Sequence, residues 1–378
     1  MYRKFSPQLI FNGTEFLKPG SSLITTEEGV IVDIAENIND GEKLNGILSP
    51  GFINCHCHLE LSHLKGKIPK GTGLVEFVKQ VMKIRDENKE EKIKSINDAI
   101  EEVYNSGTVA VGDICNTSET SGFKDKKLSW RNFIEVSGFV DTSAQKRLNI
   151  AEEVLDSFSE GLITPHAPYS VSKTLFKLIS DKNKSLISIH NQESEQEDLL
   201  YKSKTGGFLE LYNNFGIDIS NFKATGKTSF ESWLPFFKTD TKILSVHNTF
   251  ISESDLQFAA TKNYNIWFCI CVNANLYIEN SLPPIELLRK NNCKIVIGTD
   301  SLASNDQLKV LDEIKELKNY FPFIPLDEIL SWATSNGAAA LGFNELGSFE
   351  KGKKPGIIQI ENATKNSLDS NSFAKRIL

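Results

Sequence analysis

Leu48-Ser49-Pro50-Gly51-Phe52-Ile53-Asn54-Cys55-His56-Cys57-His58-Leu59-Glu60 is the stretch on which the fold turns. Pro50 and Gly51 punctuate it, a short apolar run follows, and the run ends in two histidines spaced i, i+2. Alternate residues of a strand share a face, so His56 and His58 point the same way. Two imidazoles side by side at a strand's C-terminal end can hold a divalent metal. Cys55 and Cys57 alternate with them and point away, which makes them packing residues rather than thiolate ligands. With six His in 378 residues, chance alone gives a His-x-His about 0.1 times per chain. The motif therefore gains its weight from where the other histidines lie.

Outward from this segment, short apolar runs alternate with amphipathic ones. The spacing predicts strands at 53–58, 108–114, 132–139, 162–166, 186–190, 243–247, 266–272 and 295–300, each without the polar alternation of a one-sided sheet. Helical patterns occupy 74–85, 93–105, 173–180, 253–263, 284–291 and 306–318, with Ser172 and Ser252 as N-cap candidates. Eight β-then-α units predict an α/β protein with a (β/α)8 TIM barrel over residues 49–346, and a further helix over 326–341. Residues 1–48 and 347–378 carry glycine-punctuated β-like runs that a barrel does not need. Both ends are read as one small composite β-sandwich domain, with the barrel inserted between them. Residues 206–237, rich in Phe, Gly and Ser, read as an insertion on a βα loop.

The formal net charge is −7 and no basic stripe is present, which argues against nucleic acid. No apolar run reaches the length of a membrane span. Met1-Tyr2-Arg3-Lys4-Phe5-Ser6-Pro7 lacks the apolar core of a signal peptide. The six cysteines are scattered, mostly in apolar runs such as those holding Cys269, Cys271 and Cys293, as suits reduced thiols in the cytoplasm. The expected partner is a small-molecule substrate, with no nucleic acid and no membrane; a homodimer is compatible with the sequence.

Five of the six histidines fall at or just past the C-terminal ends of predicted strands: His56 and His58 on the first, His166 after the fourth, His190 on the fifth and His247 on the sixth. Asp300 ends the eighth, in Gly298-Thr299-Asp300-Ser301. In a barrel these ends converge on one mouth, the face that carries active sites. A single histidine is usually satisfied in a core by a backbone bond. That account does not explain five of them at one mouth, and a metal site does.

Taken in order, Pro50-Gly51-Phe52-Ile53-Asn54-x-His56-x-His58-Leu59, Thr164-Pro165-His166-Ala167-Pro168-Tyr169-Ser170, His190-Asn191-Gln192-Glu193, His247 and Gly298-Thr299-Asp300-Ser301 resemble the amidohydrolase superfamily. The resemblance is to its branch of aminohydrolases and chlorohydrolases, which includes guanine, cytosine and S-adenosylhomocysteine deaminases and the triazine hydrolases. It covers nearly the whole chain. The run His58-Leu59-Glu60-Leu61-Ser62 is further similar to the aminodeoxyfutalosine deaminases of menaquinone biosynthesis.

The resemblance implies one divalent metal held by His56, His58, His190 and Asp300, with a water in the fifth position whose pKa falls from 15.7 towards ~7. Three imidazoles and a carboxylate suit Zn²⁺ best, and also Fe²⁺. It implies Glu193 as the acid/base that carries a proton to a ring nitrogen, His247 as the second catalytic histidine, and Asp300 as both ligand and base. His166 matches a position that contacts substrate, or is a structural histidine in a proline-bounded turn. Glu60, on the face of His58, either reaches substrate or hydrogen-bonds its loop; His63 is read as a loop residue.

Two departures stand out. Where the family's seventh strand ends in Cys-Pro-x-Ser-Asn, this chain has Cys271-Val272-Asn273-Ala274-Asn275. Its fourth strand, Gly161-Leu162-Ile163-Thr164-Pro165-His166, lacks the lysine that bridges two metals in binuclear members, so one metal is expected. The implied activity is hydrolytic deamination of an amino-substituted heterocycle, base or nucleoside, with aminodeoxyfutalosine the first candidate. The alternatives are a hydrolase of the same branch with another leaving group (chloride or an alkylamine) and a catalytically inactive assembly protein. Specificity is expected from loops 59–75 and 206–237.

Overall fold

A computed structural model of the chain describes residues 1–36, 38, 40–86, 89–123 and 127–378. Its N-terminal segment supplies strands β1 (Tyr2–Ile10), β2 (Ser21–Thr26), β3 (Ile31–Glu36) and β4 (Glu42–Pro50). The middle supplies β5 (Phe52–Cys57), β6 (Thr108–Cys115), β7 (Ser129–Val136) and β8 (Gly161–Pro165). It continues with β9 (Leu186–Asn191), β10 (Lys242–His247), β11 (Asn265–Ile270) and β12 (Lys294–Ile297). The C-terminal segment adds β13 (Ile357–Ala363) and β14 (Leu368–Arg376). Helices separate the middle strands, so the chain is mixed α/β.

β5 to β8 form one four-stranded parallel sheet and β9 to β12 another, each in sequence order. Backbone bonds join the two at both seams. His190 N donates to His166 O at 2.9 Å, and Thr299 N and Asp300 N donate to His56 O at 2.9 and 3.1 Å. These strands are buried along nearly their whole length, as a sheet covered on both faces requires. Ile53, Cys55, Phe133, Leu244, Val246 and Val296 belong to one fully buried cluster within them.

All eight predicted middle strands are present, with ends shifted by up to three residues. Both proposed N-caps form: Ser172 accepts from Leu175 N, and Ser252 makes a reciprocal box with Asp255. The helix expected over 326–341 is instead two, Leu326–Trp332 and Ser335–Leu341. The break has a cause in packing. Ala333 O leaves the helical ladder to accept from Ile53 N at 2.8 Å. Gly337 then lies so close to β5 that a Cβ there would sit 2.7 Å from Ile53 Cβ.

The two chain ends share one six-stranded sheet in the order β14-β13-β4-β1-β2-β3. Hydrogen bonding joins all six strands in a single sheet. The junction is antiparallel, with Ile357 opposite Pro50 and Ile360 opposite Ile47. Phe5, Leu23, Leu48, Phe349 and Ile357 are buried together beside it. Among the described residues, no helix is long and apolar enough to cross a membrane.

Candidate metal centre and active site

Three of the middle strands bring side chains to the same end. β5 supplies His56 and, one residue past its end, His58; β9 supplies His190; the turn after β12 supplies Asp300. His58 Nε2 lies 3.1 Å from His56 Nε2 and 3.2 Å from His190 Nε2. Asp300 Oδ1 is 3.3 Å from His58 Nε2 and 3.6 Å from His56 Nε2. All four side chains are buried, and their ligating atoms lie within 4.8 Å of one another.

This donor set fits a divalent cation. His190 Nδ1 donates to His166 O at 2.8 Å, since a carbonyl can only accept, and this leaves Nε2 as the nitrogen facing the cluster. Asp300 Oδ2 accepts from Ser304 Oγ at 2.5 Å, which leaves Oδ1 for the cluster. Burial pushes the His56 and His58 imidazoles below their ordinary pKa, His58 far below, with Asp300 opposing only in part. Burial would raise the Asp300 carboxyl, but the bond from His56 and the neighbouring His58 and His247 outweigh it and hold it far below the usual range. Neutral imidazoles and an ionised carboxylate are the forms that bind metal. Lone pairs crowded at these distances without a cation leave buried acceptors facing one another. One feature departs from the usual pattern: among the described residues, His56 Nδ1 and His58 Nδ1 are buried without a hydrogen-bond partner.

Glu193 follows β9, just before the helix Glu195–Ser203 that Ser194 caps. Its carboxylate lies 3.6 Å from His247 Nε2. Burial, then the charges of Asp300 and Glu197, push the Glu193 pKa well above its ordinary value, which favours its protonated form. Burial takes His247 down to about 3, against the pull of Asp300, so it is neutral. Four residues around the site have left-handed backbones unusual outside glycine: Gln192 (φ +43°), His247 (+70°), Asn248 (+57°) and Asp300 (+58°). Three of the four bends are tied down by hydrogen bonds. Glu197 accepts from Gln192 N at 3.0 Å and Glu193 N at 2.9 Å. Asn248 is held through Ser245, and Asp300 through His56 O.

A cleft of about 390 Å³ opens over these groups. His58, His190, Glu193, His247 and Asp300 form its floor; Leu61, Leu74, Phe77 and Tyr169 form apolar walls; Arg85 and Arg147 stand further out. His166 is on the wall, its Nδ1 2.5 Å from Ser170 Oγ. Glu60 is not on the wall. Its buried carboxylate accepts from Arg85 NH2 (2.8 Å), Asn116 N (3.0 Å), Thr117 N (3.0 Å) and Thr117 Oγ1 (2.9 Å). Of the two roles open to Glu60, these bonds describe the loop-holding one. His63 is buried within a 3-10 turn, its Nε2 3.0 Å from Arg85 O, rather than on an open loop.

Residues 206–237 do not line this cleft. They act from behind it, where Phe208 stacks on Tyr169 at 4.2 Å between ring centroids. The walls come instead from the helices Leu74–Ile84 and Ala144–Leu155. Cys55 and Cys57 are buried and outside the ligand group. The residue that sequence reasoning missed is Glu135. It lies in the cleft near His166 and His190, and its signal was a lone acid inside the apolar run Phe133-Ile134-Glu135-Val136.

Comparison with known proteins agrees with this geometry. A model of the amidohydrolase family matches residues 47–376. An adenosine deaminase of Helicobacter pylori is 29% identical over 323 residues, 82% of this chain and 78% of that protein. An aminodeoxyfutalosine deaminase of Nitratiruptor sp. is 27% identical over 329 residues, 82% and 77% of the two chains. The structure of Helicobacter pylori aminofutalosine deaminase in complex with methylthio-coformycin superposes with a TM-score of 0.81 at 26% identity, covering 97% of this chain and 93% of that one.

Proposed function

Because the chain belongs to the amidohydrolase family, we propose that it deaminates an adenine-type nucleoside, with aminodeoxyfutalosine the first candidate substrate. The observation that carries the reading is the placing on one cleft floor of a four-donor metal cluster with Glu193 and His247, 3.6 Å apart. The reading takes the eight parallel strands as one (β/α)8 barrel over residues 49–346, with residues 1–48 and 347–378 as a second domain. The backbone bonds at both seams and the shared terminal sheet support it.

His56, His58, His190 and Asp300 are the proposed ligands, and three imidazoles with one carboxylate favour Zn²⁺, with Fe²⁺ also compatible. A divalent ion held there supplies a water acidic enough to ionise near neutral pH. Glu193 gives its proton to the ring nitrogen beside the amine-bearing carbon, which makes that carbon electrophilic. Asp300 takes the proton of the attacking water. His247 hydrogen-bonds the developing charge from the next strand. Asp300 passes that proton to the amine, the C–N bond breaks with loss of ammonia, and the hydroxyl proton returns to Glu193 as the carbonyl forms on the ring carbon.

Ammonia release from adenine, adenosine, S-adenosylhomocysteine, guanine and aminodeoxyfutalosine tests the proposal. Turnover of nucleosides supports it. Inert nucleosides beside fast hydrolysis of a chlorinated or N-alkylated ring would assign the other leaving group instead. Purified protein without stoichiometric metal would favour an inactive assembly role.

A further inference from the structure

Glu193 carries a proton to the ring in the reading above, and a carboxyl group that does so has to be free of competing bonds. Among the described residues no hydrogen bond holds its side chain, which is buried on the cleft floor 3.6 Å from His247 Nε2. A side chain with no bond of its own takes its position from its backbone. A reacting group misplaced by about 1 Å can cost about 10²-fold in rate. The backbone of residue 193 therefore decides how well the proton is delivered.

That backbone leaves β9 through Gln192, whose φ of +43° is one that a long side chain adopts only when its surroundings hold it. The holder is Glu197, in the first turn of the helix Glu195–Ser203. Its Oε2 accepts from Gln192 N at 3.0 Å and its Oε1 from Glu193 N at 2.9 Å. One carboxylate thus takes two successive backbone N–H groups, one on each oxygen. Glu197 is fully buried, and among the described residues no cation pairs with it. A buried carboxylate without a cation is costly, and the two amides are what offset that cost.

Further bonds stiffen the same turn from behind the cleft. Ser229 Oγ donates to Glu197 Oε2 at 3.4 Å. Gln192 Nε2 donates to Asp255 Oδ2 at 3.2 Å, and Gln192 O accepts from Phe250 N at 3.0 Å. Glu197, Ser229 and Asp255 are all absent from the cleft wall. Ser229 belongs to residues 206–237, the segment that stands behind the site, so this contact gives the segment a route to the chemistry without touching substrate. Glu197 is likewise outside the ligand cluster. Its reach toward the reaction runs through the backbone of Glu193.

We propose that Glu197 is the positioning residue for Glu193: by gripping the amides of residues 192 and 193 it aims an otherwise unbonded carboxyl group at the substrate, and so governs turnover without contacting substrate or metal. The inference rests on the deaminase reading above and adds to it the residue that sets the proton carrier in place. Glu197→Gln keeps the shape of the side chain but only one acceptor oxygen. Its NH2 faces one of the two amides, which leaves that N–H buried and unpaired and lets the turn shift.

The test is a double-substitution cycle on holoenzyme: wild type, Glu197→Gln, Glu193→Gln and the pair, with metal content and melting temperature measured for each. The substrate is adenosine, S-adenosylhomocysteine or aminodeoxyfutalosine, whichever the wild type deaminates fastest. Glu197→Gln should keep its metal and its KM and lower kcat about ten- to a hundred-fold, the range for a misplaced reacting group. In the Glu193→Gln background it should lower kcat no further, because residues that act as a unit are not additive. If Glu197→Gln does not fold, Glu197→Asp, which keeps both acceptors but draws them back by one methylene, runs the same cycle with the same expectation. An unchanged kcat, depleted metal, or a KM that rises as much as kcat falls would overturn the proposal. So would an equal loss of kcat in both backgrounds, or the collapse of both variants, either of which marks Glu197 as a residue of the fold alone. All of these leave the deaminase reading intact, since the wild type still turns over. If the wild type deaminates no nucleoside, that reading fails first, and the role of Glu197 fails with it.

Discussion

Glu193 and His190 stand three residues apart at one strand end, and substitution separates their proposed roles. His190→Ala should lose both metal and activity, read by elemental analysis beside ammonia release. Glu193→Gln should keep its metal and lower kcat by about 10²–10⁴, because an amide cannot carry the proton. Near-normal kcat in Glu193→Gln would remove it from the mechanism. At this scale the sequence was most legible where a residue's position follows from its place at a strand end: His56, His58, His190, His247 and Asp300 all arrive at one floor. It was least legible where the role depends on partners far along the chain. Glu60 shares the face of His58, yet its bonds go to Arg85, Asn116 and Thr117, which no local pattern announces. Glu135 was hidden for the opposite reason, since an acid within an apolar run shows that something is there but not which cleft it faces.

Among the elements, the short turns after the strands differ most from expectation. The run after Cys271, where the resemblance broke, is not a strand end but the start of the helix Val272–Glu279. Asn273 there donates through its backbone N (3.1 Å) and side chain (2.8 Å) to buried Glu313, on the helix Val310–Tyr320; Asn305 donates to the same carboxylate at 3.0 Å. Strand positions follow from hydrophobic runs, whereas this clamp joins residues forty apart and leaves no periodic trace. Burial pushes the Glu313 pKa up to about 7, with the Asn273 and Asn305 bonds opposing. Its unfolded value is about 4.3. A folded pKa above the unfolded one gives stability that is full below pH ~4.3 and lost as pH rises through about 7. Melting temperatures of wild type and Glu313→Gln measured from pH 5 to 9 should therefore diverge in slope. The wild type should lose stability with rising pH relative to the variant, whatever fixed offset the amide introduces. Parallel curves would show that Glu313 does not titrate in this window.

For the whole molecule, the chain ends matter as much as the cleft. β13 pairs with β4 over Ile357–Ile360, and its neighbour β14 completes the sheet. Truncation after Leu346 removes both strands and uncovers Ile47, Leu48 and the apolar edge of β4. The truncated protein should be insoluble, and a soluble, active product would contradict a shared sheet. Removing the metal should act globally too. Chelation should abolish activity and lower the melting temperature, and added Zn²⁺ should restore both, since an ion that binds only the folded state stabilises it by mass action.

The joining of both ends in one sheet also has a consequence in time. A ribosome releases the chain from its N-terminus, so β4 emerges with one flank unmatched and waits for a partner roughly 300 residues downstream. At about 5–20 residues per second this interval is some 15–60 seconds. During it, β1 to β4 present an open, apolar strand edge in a crowded cell. Chaperone capture, or a slowing of elongation before Ile357, would then govern yield more than the stability of the finished enzyme. Slower elongation lengthens this exposure and should lower the soluble fraction without changing the melting temperature of what is recovered.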